Sequence, residues 1–269
     1  MLSHNWLILA IAGLMSGVLA GFLGIGGGSL IVPLLVALGY SPLQAIATSS
    51  LSILIIAISG TIQNWRMGFF SFNRIVLLGL PAILTAQIGA DFADKIPSYI
   101  LLASFGVLLL TNIYFVDLPT RLIQQQNHRE IPEILPATIT NPIVARIITG
   151  STAGVLAGLF GVGGGIVIVP LQILLLNEKI KVAIQISLGV IVITALSACA
   201  GHALQGNVLW SEGILLGAGG LLGVQVGTRY LPRLPDEIVS FIFRLMLGIL
   251  SVYVFWQAWN SYKLLMANG

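Results

Sequence analysis

The stretch GVLAGFLGIGGGSLIVPLL, residues 17–35, returns as GVLAGLFGVGGGIVIVPLQ at residues 154–172. Thirteen of the nineteen aligned positions are identical, so the chain is a tandem duplication. In each copy a glycine cluster interrupts an apolar run at the same place, where a helix should not continue. Matching breaks in the two halves of an apolar chain point to the binding site of a transporter.

The surrounding composition agrees. Hydrophobic residues make up 57% of the 269 and charged residues 8%, with a mean hydropathy of +1.01. That leaves too little polar surface to cover a water-soluble chain of this length. A spanning helix needs about 20 mostly apolar residues. Segments near 6–24, 44–63, 74–92, 98–116, 143–160, 181–203, 211–230 and 236–258 meet that need, and shorter runs at 29–39 and 166–176 follow the glycine clusters. These runs are apolar on every face, without the alternation of a β-barrel strand. The expected fold is an all-α polytopic membrane protein of two repeats, each a glycine-broken hairpin plus three transmembrane helices. Residues 1–116 form the first repeat, 117–142 a polar linker and 143–269 the second repeat. The first apolar segment lacks a basic leader and is expected to be a retained span.

The two repeats are parallel or inverted according to the number of crossings in each, and the cations arbitrate, because Lys and Arg concentrate in cytoplasmic loops. If each glycine-broken hairpin returns to its starting side, Arg66, Arg74, Arg121, Arg129, Arg146, Lys179, Lys181, Arg229 and Arg233 share one side. Only Lys95 and Lys263 then fall opposite, with Arg244 inside a span. The parallel alternative nearly balances the sides, so inverted repeats are expected, with both termini outside. The net charge of +3 does not indicate nucleic acid, since the basic residues lie in loops between spans. The single Cys199 sits in an apolar run, where it reads as a small packing residue.

Gly24, Gly26, Gly27 and Gly28, with Gly161, Gly163, Gly164 and Gly165, permit left-handed backbone and close approach of a ligand. The limbs that follow begin at Ser29 and Ile166, so their free amides and positive dipole ends face the space between the tips. A small anion suits that space; simple close packing is the alternative. Upstream, Gly13, Gly17 and Gly21, with Gly150, Gly154 and Gly158, form small-xxx-small packing faces. The run Ala47-Thr48-Ser49-Ser50-Leu51 is answered by Ile184-Gln185-Ile186-Ser187-Leu188. Ser49, Ser50, Ser187 and the Gln185 amide can donate to anion oxygens, or the hydroxyls can bond carbonyls of their own helix. Arg244 either pairs with an anion through its planar fork or snorkels to the basic face. His202 and Asp91 are candidates for proton coupling, against ordinary packing and solvation. Asn64, Gln87 and Gln225 are expected to bond between helices. No zinc-binding H-E-x-x-H, nucleophile elbow or phosphate loop occurs, so neither an enzyme nor a cofactor or metal is expected.

The doubled glycine block ending in V-P, the Ala-Thr-Ser-Ser-Leu after it, the Gly201-His202 with Gly206, and the paired Gln87-Ile88-Gly89 and Gln225-Val226-Gly227 resemble the TauE/SafE family of sulfite and organosulfonate exporters. The resemblance covers nearly the whole chain. It implies a plasma-membrane permease for small sulfur-containing or carboxylate anions, driven by the proton gradient. Its partners are then the anion and the lipid bilayer, with the oligomeric state open. A channel-like anion pore and a non-transporting assembly subunit are the competing classes. The chain departs from symmetry where Asn64 faces His202 and where Thr48-Ser49 face Gln185-Ile186, so the two half-sites differ chemically.

Overall fold

The computed structural model describes residues 5–126, 141–176 and 178–268. Most of the expected linker lies outside them. The described residues form ten α-helices: α1 (Asn5–Leu23), α2 (Gly28–Ala37), α3 (Pro42–Arg66), α4 (Phe72–Lys95), α5 (Ser98–Gln126), α6 (Pro142–Phe160), α7 (Gly165–Leu176), α8 (Ile180–Leu204), α9 (Trp210–Tyr230) and α10 (Asp236–Asn268). A single 3₁₀ turn, Leu231–Arg233, joins the last two. Seven helices among the described residues are long and apolar enough to cross a membrane, and the apolar described part of α5, Ser98–Thr111, is shorter.

Local chemistry sets the helix ends. At α3, Ser41 Oγ accepts from the Gln44 amide at 3.2 Å while Gln44 Oε1 accepts from the Ser41 amide at 3.3 Å, with Pro42 in the first helical position. This capping box satisfies donors that the first turn leaves free. At α6, Asn141 accepts from the Ile143 amide, again just ahead of a proline. The left-handed glycines Gly68 and Gly206 stop α3 and α8 at equivalent places in the two repeats.

Helices α3 and α8 form the centre: 72% and 78% of their apolar windows are buried, against 44% or less for the other spans. They run antiparallel where they touch. Asn64, near the end of α3, bonds the Gln185 carbonyl near the start of α8, and Leu51 and Cys199 share a cluster at the other end. Around this pair, α1 packs parallel to α9 through Gly13, Gly17 and Gly21, which meet the Leu216, Gly220 and Val224 backbone in turn. Equivalently, α6 packs parallel to α4, with Gly150, Gly154 and Gly158 on Leu78, Ala82 and Ala86. A Cβ at any of these glycines would collide with the facing backbone, the close approach that small residues permit.

Each repeat therefore holds the first helix of the other. The bonds between repeats are matched: Ser59 donates to the Leu221 carbonyl at 3.2 Å and Ser197 to the Ile83 carbonyl at 2.7 Å. Gln225 donates to Ser59 and Gln87 to Ser197. The outer faces carry large apolar side chains, among them Leu84 at 73% and Val252 at 72% exposure, as a lipid-facing surface requires.

Candidate functional site

The two glycine breaks meet inside the molecule. Gly24, Gly26 and Gly27 have φ of 66°, 74° and 81°, and Gly161, Gly163 and Gly164 have 60°, 71° and 75°. These reversals end α1 and α6 and start α2 and α7. All residues of both tips are buried, Ile25 at 0% and Val162 at 2% exposure. The tips lie against each other: a Cβ built on Gly28 would fall 2.5 Å from the Gly161 carbonyl oxygen, and one on Gly165 would fall 2.7 Å from Ile25 Cα. Ile53 of α3 and Ile191 of α8 reach both tips, approaching Gly26 and Gly163 alike.

Hydroxyls from the opposite repeat hold each tip. Ser49 Oγ donates to the Gly161 carbonyl at 2.5 Å and Ser187 Oγ to the Gly24 carbonyl at 2.6 Å. From within the same repeat, Ser16 donates to the Gly27 carbonyl and Thr194 to the Gly163 carbonyl, both at 2.7 Å. Ser49 is thus the structural counterpart of Ser187, whereas the aligned motifs pair Ser50 with Ser187. The register shifts by one residue in the loops before α3 and α8, ahead of the serines. Ser50 bonds the Ile46 carbonyl four residues back on its own helix at 3.1 Å.

The carbonyls of Gly24, Gly27, Gly161, Gly163 and Gly164 accept hydrogen bonds, whereas six of the tip amides donate none. Among the described residues, the N–H groups of Ile25, Gly26 and Gly27, and of Val162, Gly163 and Gly164, donate no hydrogen bond. Ser29 Oγ, at the start of α2, is fully buried and also without a partner. Consecutive free amides in a left-handed turn form an anion-binding concavity, and each buried donor left unmade costs about 1–3 kcal/mol.

The remaining predicted residues are spread more widely. Gln185 is buried and gives its main-chain carbonyl to Asn64 at 3.3 Å. His202 is fully buried with Nε2 2.9 Å from the Gly158 carbonyl, in the last turn of α6 just before the second tip. A carbonyl only accepts, so that nitrogen carries the proton, and Nδ1 is left without a partner. Three residues on, Gln205 donates to the Asp91 carboxylate at 3.1 Å. Asn64, the counterpart of His202, has its Oδ1 unpartnered in the same way. Arg244 is not brought to the tips: it lines a surface groove of about 540 Å³ on α10 with Phe241, Leu245, Gly248, Ile249 and Val252. Ser16, Thr194, Ile53 and Ile191 were not read from the sequence; nothing local in α1, α3 or α8 marks the side chain that meets a tip.

A multi-pass helical membrane protein with two matched, buried helix breaks has the architecture of a membrane transporter. The comparison with known proteins narrows the class. The family model described as Sulfite exporter TauE/SafE matches residues 9–254, and the chain belongs to this family of membrane transporters. It is 24% identical to the "Probable membrane transporter protein YunE" of Bacillus subtilis (strain 168), over 94% of this chain and 98% of that protein. It is 27% identical to a "Probable membrane transporter protein" of Xylella fastidiosa (strain Temecula1 / ATCC 700964), over 93% and 95%.

Proposed function

We propose that the protein carries a small anion, of the sulfite, sulfonate or related sulfur-containing or carboxylate class, across the plasma membrane by proton-coupled alternating access. The observation that carries this reading is the set of six unpartnered amides at the two abutting tips, joined by the buried Ser29 hydroxyl. An anion between the tips would satisfy donors that the protein leaves unmade, helped by the dipole ends of α2 and α7. Ser29 has an isoleucine, Ile166, as its counterpart, so the anion would sit asymmetrically, nearer the first tip. Ser49 and Ser187 then shape the site by orienting tip carbonyls away from the anion, while Ser50 and Arg244 lie outside it. The family description, sulfite exporter, supports the choice of anion class.

Inverted repeats are supported by the antiparallel packing of the equivalent helices α3 and α8 and by the cations. Arg66, Arg74, Lys179, Lys181, Arg229 and Arg233 gather at the end where α3 finishes and α8 begins, and Lys95 lies at the other. The basic end is then cytoplasmic. Rocking one repeat against the other would part the tips toward one side at a time. For coupling, His202 Nδ1 is the proton acceptor and Asp91, reached through Gln205, the entry from the outer end. Proteoliposomes test the reading. Uptake of labelled sulfite or a sulfonate should follow an imposed pH gradient and fall at least tenfold in Ser29→Ala of unchanged thermal stability. Flux indifferent to both would contradict it.

A further inference from the structure

Among the polar contacts between the repeats outside the tips, two occupy equivalent places and tie down the loops that close the glycine-broken hairpins. Arg74, in the first turn of α4, pairs with Glu178, in the loop between α7 and α8, at 2.7 Å. Tyr40, in the loop between α2 and α3, donates to Glu212 in the first turn of α9 at 3.3 Å. The register that pairs Ser59 with Ser197 and Gln87 with Gln225 also pairs Tyr40 with Glu178 and Arg74 with Glu212. Each contact therefore ties the loop that closes one glycine-broken hairpin to the other repeat. In its sequence neither position resembles its counterpart, so only the structure relates them.

The contacts lie at opposite ends of the molecule. Tyr40 sits just before α3 and Glu178 just before α8, and those two helices are antiparallel. The 25 residues of α3 separate the ends by about 37 Å. We propose that Arg74–Glu178 and Tyr40–Glu212 are the two gates of the transport cycle, each released when the hairpin behind it swings to expose the tips to its own side. The proposal rests on the alternating-access reading above.

The gates differ in strength. One is a full ion pair between a guanidinium and a carboxylate; the other joins a phenol to a carboxylate at a longer distance. Burial and then the Glu212 charge hold the Tyr40 phenol above its ordinary pKa, so it stays a donor at neutral pH. The resting protein is thus held more firmly at the Arg74 end and opens more readily at the Tyr40 end. Concentrated salt should weaken the first gate, because the Arg74 side chain is 40% exposed and open to screening.

The test uses full-length protein in inside-out and right-side-out vesicles, with Ser29→Cys as reporter in a Cys199→Ala background and a membrane-impermeant maleimide as probe. Glu178→Gln should raise labelling from the Arg74 end by about two- to five-fold and lower it from the other end. Tyr40→Phe should do the reverse. Salt at about 1 M should reproduce the Glu178→Gln pattern without any substitution. The exchange Arg74→Glu with Glu178→Arg should return labelling to the starting ratio. Labelling that changes equally from both sides, or an exchange that fails to restore it, overturns the gates. If pH-driven anion flux, measured in the protein that keeps Ser29, persists while labelling of the Ser29→Cys reporter does not shift, the gates fall and the transport reading stands. If labelling shifts as predicted while no anion is carried, the gates stand and the transport reading falls.

Discussion

Gly27 and Gly68 share a φ of +81° but differ in surroundings, which makes them a controlled pair for measuring what the tip contributes to stability. Nothing lies within 4 Å of a Cβ added at Gly68. Gly68→Ala therefore costs only the left-handed strain, about 1–2 kcal/mol. At Gly27 the added methyl falls on Ser16 Oγ and lies 2.9 Å from the Ser16 carbonyl oxygen. It displaces the hydroxyl that bonds the Gly27 carbonyl, adding about 1 kcal/mol for the lost bond and about 1–3 for overpacking. The sum for Gly27→Ala is about 3–6 kcal/mol. At about 2–4 °C per kcal/mol, melting in detergent should fall ~4 °C for Gly68→Ala and ~12 °C for Gly27→Ala. Gly164 and Gly206, with φ of 75° and 76°, repeat the comparison in the second half, where a methyl at Gly164 would meet the Ala153 carbonyl at 2.6 Å. Equal losses at the tip and loop glycines would refute the close packing argued for the tips. The same figures make glycine-to-alanine changes at the tips a poor test of binding.

Ser187→Ala should leave the buried Gly24 carbonyl without its donor and cost about 1–3 kcal/mol in denaturant or thermal unfolding, whereas Ser50→Ala, which loses only a bond within its helix, should cost under about 1 kcal/mol. Gln87→Leu removes bonds to both the Ser197 carbonyl and hydroxyl, whereas Gln225→Leu removes only a longer bond to the Ser59 hydroxyl, so Gln87→Leu should lower the melting temperature by a few degrees more; a larger loss for Gln225→Leu would count against this contact pattern. His202→Gln can still donate to the Gly158 carbonyl but binds no proton at neutral pH, so it should remain folded while anion flux loses its dependence on the pH gradient; unaltered coupling would remove His202 from that role.

Much of the architecture is legible in the chain. Proline, capping residues and glycine bound most of the apolar runs, so most helix ends fall within a few residues of where those runs stop; α5, which continues to Gln126, and α10, which continues to Asn268, are the exceptions. The every-fourth-residue glycines of α1 and α6 announce their close packing, although not that the partner belongs to the other repeat. Partner choice is where local reading ends. Ser49 and Ser50 are chemically alike, and a one-residue shift in the preceding loops decides which of them meets a tip. Arg244 stands out in a hydropathy profile, but a profile does not tell which side of α10 faces the groove. The gates are invisible for a different reason: Tyr40 answers Glu178 and Arg74 answers Glu212, so symmetry of position is kept while symmetry of residue type is lost.

The central claim is that tip amides bind the anion, and amide chemical shifts of glycine-labelled protein in nanodiscs report on it directly. Titration with sulfite or a sulfonate should move the Gly26, Gly27, Gly163 and Gly164 resonances downfield in a saturable manner, those of the first tip further than those of the second, while Gly39 and Gly68 stay in place. Saturable anion binding that leaves all four tip amides unmoved would contradict the account.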